Sequence, residues 1–211
     1  MNNPTCRSDP GVDALCLGPE RSSRRLVLMH GWGADADDLL DLGVALVDEK
    51  VSVVALRAPQ MHPAGVGRQW YDLQQPQWPG LPAARAELTA RIKTLAQTVP
   101  LQNTALLGFS QGAAMALDVA SSLALAALVA CSGYAHPGWS PKPAVPILLT
   151  HGEQDPVVPF AASAALEEQL HKAGGTVRRL AFPGGHGIDT SVLEPIREFL
   201  DAGWRAHEAA R

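Results

Sequence analysis

Short apolar runs alternate along the chain with helix-length stretches, the pattern of a mostly parallel sheet covered by helices on both faces. The runs at 26–29, 51–56, 105–109, 126–131, 147–150 and 177–182 predict strands. Several are unbroken Val, Leu and Ala without polar alternation, as strands buried on both faces require. Residues 12–17 predict a weaker first strand. Leu88, Ile92, Leu95 and Val99 recur at steps of four, three and four, which sets them on one helical face behind a first-turn Pro82. Further helices are expected after Ser110, from Phe160 to a stop at Gly174 and Gly175, and after Pro195. Between 57 and 82, five prolines and three glycines leave no sustained period. A long irregular stretch inside a compact domain usually carries function.

Composition narrows the class. A chain of 211 residues fits one domain, with residues 1–20 expected as a loosely ordered lead-in. With 46% hydrophobic and 18% charged residues it buries a real core, which excludes disorder as the main state. Its 17 basic and 21 acidic residues form no basic stripe, so neither nucleic acid nor an anionic membrane is an expected partner. No run approaches the roughly 18 apolar residues of a membrane span, and the start lacks a basic then apolar leader. Cys6, Cys16 and Cys131 form no C-x-x-C and leave at least one thiol over, which suits a reducing compartment. The reading is a soluble, cytoplasmic protein with a small-molecule partner. Gly31-x-Gly33 and Gly65-x-Gly67 lack the third glycine of a dinucleotide loop, and neither a Walker lysine nor H-E-x-x-H occurs. No cofactor and no metal are expected.

The chemistry concentrates at TALLGFSQG, residues 104–112, where an apolar strand meets Gly108-x-Ser110-x-Gly112 and then the helix-forming AAMALDVA. A strand-to-helix turn this sharp admits only glycine two residues either side of the serine, and it holds the hydroxyl out above the sheet. A serine at its free pKa is a poor nucleophile and needs a base, itself oriented by a carboxylate. His136, His151, His171, His186 and His207 follow Ser110. Of these, His171 falls on a surface helix and His207 in a charged tail, whereas His186 sits in the glycine-flanked loop FPGGHGID after a strand. His186 is therefore the expected base. HGEQDPVVP offers Glu153 and Asp155 as the acid, and Asp155 is favoured because Pro156 holds it extended. Its competing reading is a turn-forming residue before proline. Asp118, inside the helix after Ser110, points the wrong way. The oxyanion donors are expected from the amides of Gln111 and Trp32, with His30 positioning the turn.

LVLMHGWGADADDL, LRAPQ, RQWYD, LLGFSQGAAMAL, ILLTHGEQDPVVP and GGHGI together resemble the small α/β-hydrolase carboxylesterases, the family of acyl-protein thioesterases and lysophospholipase-like bacterial esterases. The likeness runs from about Leu26 to Leu200. It implies a single-domain α/β-hydrolase fold without a cap domain, a triad at Ser110, Asp155 and His186, and oxyanion donors at Trp32 and Gln111. It also sets Trp70 of RQWYD beside the acyl pocket, and Trp78 is a further candidate wall. Trp32 stands where that family usually has leucine, and Ala113 replaces a common glycine. The segments 61–70 and 72–82 are shorter than the family's, which points to short or medium acyl groups. The expected activity is serine ester hydrolysis through an acyl-enzyme. Thioester or lysophospholipid cleavage on longer chains is the alternative, and a non-catalytic binding protein of this fold the rival.

Overall fold

The computed structural model describes residues 13–19 and 21–209; Cys6, Val12 and most of the lead-in lie outside them. The central sheet holds β1 (Ala14–Leu17), β2 (Arg25–Met29), β3 (Ser52–Leu56), β6 (Thr104–Phe109), β7 (Ala127–Cys131), β8 (Ile147–Gly152) and β9 (Val177–Phe182). Its order is β1-β3-β2-β6-β7-β8-β9, and every neighbouring pair is parallel except β1 with β3. The strand interiors are continuous apolar runs because helices close both faces. Val27, Met29, Leu106, Ala130 and Leu149 pack against α2 (Leu81–Leu95), α3 (Gln111–Ala120) and α4 (Ala161–Lys172). Leu26, Leu28, Leu107, Val129 and Leu148 point the other way, toward α1 (Leu40–Leu46) and α5 (Leu193–Ala209).

Register decides where the chemistry falls. Met29 lies opposite Gly108, Phe109 opposite Cys131, and Cys131 opposite Thr150. The chain therefore leaves β2, β6, β7 and β8 along one edge, the carboxyl edge, where open α/β sheets bind ligands.

Each strand expected from the apolar runs is present within a residue or two of its expected bounds. Two features differ from the sequence reading. Helix α1 was not expected, since LDLGVAL has only seven residues and a glycine inside it. Residues 57–82 are not without structure: β4 (Gln60–Met61) and β5 (Arg68–Gln69) form a small antiparallel hairpin, followed by the fully buried Trp70 and Tyr71. Strands of two residues leave no period to read. Between β7 and β8 the residues 132–146 contain no helix, so no cap is inserted there. Among the described residues no helix is long and apolar enough to cross a membrane.

Candidate active site

At the end of β6 the backbone turns into α3 through Ser110, whose φ of 53° and ψ of −117° are rare for a side-chain-bearing residue. The turn is tight enough to require glycine at both flanks. A Cβ on Gly112 would come 2.2 Å from the Met29 carbonyl oxygen, and one on Gly108 would come 2.6 Å from that of Gly112. The Ser110 amide donates to the Cys131 carbonyl at 2.9 Å, tying the turn to the neighbouring strand.

The loops after β8 and β9 bring the other two residues to this serine. His186 Nε2 lies 3.0 Å from Ser110 Oγ, and His186 Nδ1 lies 2.7 Å from Asp155 Oδ2. Asp155 Oδ1 accepts the amides of Val157 at 2.8 Å and Val158 at 2.9 Å. Burial pushes the Asp155 carboxyl upward, but His186 and these amides outweigh it and hold the group below the usual carboxylate range. It is thus a carboxylate facing an imidazole N–H. With Nδ1 donating, Nε2 is left as an acceptor aimed at the serine hydroxyl. Such a chain can take a proton from Ser110 as its oxygen attacks an electrophile. A shallow depression of about 220 Å³, lined by Phe182, Gly184 and Gly187 among others, opens beside His186.

Other residues singled out by the sequence fall as follows. Glu153 is exposed and only its backbone is engaged, donating to Phe182. The loop after β2 lies against the nucleophile turn, since a Cβ on Gly31 would sit 3.4 Å from that of Ser110. Trp32 is in this loop, and Gln111 opens α3, where an N–H has no carbonyl one turn earlier. His30 is buried and its Nε2 accepts the Ala58 amide at 3.1 Å; burial lowers its pKa, keeping it neutral. Trp70 is 1% exposed, with its indole N–H donating to the His30 carbonyl at 2.9 Å. Trp78 is half-buried against the rings of Tyr71, Tyr134 and His136. Among the described residues no cluster could hold a metal ion.

Sequence reasoning missed two sets of groups. His151, 0% exposed, turns Nε2 to the Val158 carbonyl at 2.9 Å and to Asp155 Oδ2 at 3.3 Å. Asp118 receives His136 Nδ1 and Arg85 Nε, both at 2.5 Å. The one available signal for the second set was a lone carboxylate in the apolar helix AAMALDVA.

Residues 16–203 match the family described as phospholipase/carboxylesterase. The chain belongs to that family. Esterase YpfH of Escherichia coli (strain K12) is 31% identical over 196 residues, covering 83% of this chain and 82% of the relative. Acyl-protein thioesterase 1 of Neurospora crassa is 31% identical over 120 residues, 51% of this chain and 49% of its own. The solved esterase PE8 superposes with a TM-score of 0.82 at 30% identity, covering 90% of this chain and 98% of that one. The Bacillus cereus carboxylesterase, at 22% identity, shares the fold with a TM-score of 0.80 over 96% of this chain and 100% of its own. Membership makes the chain an ester hydrolase of α/β-hydrolase fold.

Proposed function

We propose that this chain hydrolyses short- to medium-chain carboxylic esters through an acyl-enzyme on Ser110. The carrying observation is the unbroken chain from Ser110 Oγ through His186 to Asp155 Oδ2. Ser110 Oγ bonds to the ester carbonyl carbon as its proton passes to His186 Nε2 and the carbonyl π pair moves to oxygen. The Trp32 and Gln111 amides receive that oxyanion. Collapse breaks the bond to the leaving oxygen, which takes the proton from His186 and departs as the alcohol. A water then gives a proton to His186 and adds to the acyl carbon, and collapse releases the acid and returns the proton to Ser110. Asp155 stays ionised throughout and stabilises the imidazolium.

A fluorophosphonate probe should label the wild-type protein and not Ser110→Ala, while p-nitrophenyl esters from acetyl to palmitoyl measure turnover. The helix-free 132–146 segment and the shallow depression beside His186 support limited cover over the acyl group. kcat/KM should climb over the first few acyl carbons, at about 0.8 kcal/mol per buried methylene, and then level off. Since Trp70 is buried in the framework, the wall role falls to Trp78, and Trp78→Ala should relax the limit. Highest efficiency on palmitoyl esters would overturn the chain-length reading. Thioester cleavage is a second reading, favoured by the likeness to an acyl-protein thioesterase; paired oxyester and thioester substrates of one acyl length separate the two. The odd cysteine count, with Cys131 a buried thiol, supports a cytoplasmic location, which cell fractionation tests.

A further inference from the structure

The residues that close around the serine turn are held by a second piece of chain that makes no contact with the Ser110, His186 and Asp155 relay in the contacts above. Residues 68–71, β5 and the two residues after it, reach toward both expected oxyanion donors. On the Trp32 side, the Arg68 amide donates to the Ala34 carbonyl at 2.7 Å and the Gly33 amide donates to the Arg68 carbonyl at 2.8 Å. Trp32 Nε1 donates to Gln69 Oε1 at 2.8 Å, and Trp70 Nε1 to the His30 carbonyl at 2.9 Å. On the other side, the Trp70 amide donates to Gln111 Oε1 at 3.0 Å, and Gln111 Nε2 donates to the Tyr71 carbonyl at 2.7 Å. Both polar atoms of the Gln111 side chain are thus bonded to this segment, and its backbone N–H belongs to the first turn of α3.

The far end of the segment is anchored as well. Tyr71 OH lies 2.8 Å from His136 Nε2, and His136 Nδ1 bonds Asp118, which also receives Arg85 Nε. Tyr134 OH completes the set at 2.8 Å from Tyr71 OH. Asp118 stands two turns along the same helix that Gln111 opens, so the contacts close a ring: α3, Gln111, Tyr71, His136, Asp118 and back to α3. His30, Trp70, Tyr71, Gln111 and His136 are all 3% exposed or less. Water is therefore poorly placed to replace any of these bonds, and each broken one leaves a buried polar group unpaired.

We propose that residues 68–71 are a brace that sets the spacing of the two oxyanion amides, with Trp70 and the Gln111 side chain as positioning residues and the Asp118–His136–Tyr71 relay as their anchor. The proposal rests on the reading of Ser110 as the nucleophile. The two amides belong to chain pieces 79 positions apart in numbering (111 minus 32), joined through separate strands. Donors of this kind help only when fixed within a fraction of an ångström of the developing charge, before it develops. A brace bonded to both pieces supplies that fixity; β2 and β6 alone fix only where the loops start.

Trp70→Phe keeps an aromatic side chain but loses one ring of the indole together with the N–H that holds the His30 carbonyl. Its kcat on p-nitrophenyl butyrate should fall about 10- to 30-fold with KM within twofold, because the missing interaction acts on the transition state. Tyr71→Phe, which cuts only the anchor, should lower kcat about threefold. Butyl trifluoromethyl ketone gives the readout that a merely structural role would not move. Ser110 adds to its carbonyl, the π pair moves to oxygen and the serine proton goes to His186, so the adduct carries the same oxyanion. Its inhibition constant should rise in each variant by the factor that kcat/KM falls. A folded Trp70→Phe with full kcat and unchanged inhibition overturns the brace; should that variant fail to fold, the same result in Tyr71→Phe overturns it. Absence of fluorophosphonate labelling in the wild type would instead remove the nucleophile reading, and the brace with it.

Discussion

Asp155 uses its two oxygens for different tasks. Oδ1 gathers the Val157 and Val158 amides into a turn, and Oδ2 faces His186 and His151. Its place before Pro156 allowed two readings, turn former and acid partner of a histidine, and the side chain makes the contacts that each requires. Asp155→Asn keeps the turn, since Asn Oδ1 still accepts both amides. Its Nδ2, however, would donate to His186 Nδ1 and move the ring proton to Nε2, the wrong tautomer for taking a proton from serine. kcat is expected to fall by about 10³ to 10⁴, and Glu153→Gln, at an exposed position, should stay within twofold; steady-state kinetics on p-nitrophenyl butyrate checks both. Ser110, Asp155 and His186 were legible because local punctuation marks each: glycines around the serine, a proline after the aspartate, glycines around the histidine. Trp70 was legible only as an aromatic near the site. What its indole touches is a backbone carbonyl, which carries no sequence signature.

Helices with one clear period and strands with unbroken apolar runs announced themselves; helix α1 and the two-residue strands did not. Helix α2 has Leu88, Ile92 and Leu95 buried as their spacing requires, and Pro82 stands in its first turn. Helix α1 and the β4–β5 hairpin are held by tertiary contacts rather than by local preference, so only the folded partner surfaces explain them. Helix α5 shows how much one such surface contributes. Ile196, Leu200 and Trp204 lie on its buried face, and Trp204 Nε1 donates to the Asn103 carbonyl at 3.0 Å just before β6 begins. Trp204→Ala would leave a cavity and remove the indole N–H from the Asn103 carbonyl, beneath the strand that leads to Ser110. A loss of about 3 to 5 kcal/mol is expected, seen as a lower urea midpoint with an unchanged slope.

For the molecule as a whole, buried titratable groups set the response to acid. His30 has its pKa lowered by burial, so folding favours its neutral form and stability begins to fall as pH drops through the unfolded value of about 6.5. Burial raises Asp118 and Asp155, but the partners named above outweigh it and hold both below the ordinary range. Their contribution is present above the unfolded value of about 3.9 and is lost as pH falls through the folded one. Thermal unfolding from pH 8 to 3 should therefore show a gentle decline, then a steep one below about pH 4. Asp118→Asn should lie below wild type at pH 7 and converge on it in acid, because protonation removes the same charge. A gap that stays constant to pH 3 would contradict this. The strained backbone at Ser110 acts against the same total. Glycine adopts that conformation without a steric cost, so Ser110→Gly should be inactive yet more stable by about 1 kcal/mol. Heat resistance and turnover thus pull in opposite directions at one codon. A library of variants screened by melting temperature alone would drift toward glycine there, enriching robust proteins that no longer react, so any selection for a sturdier enzyme has to score product at every round.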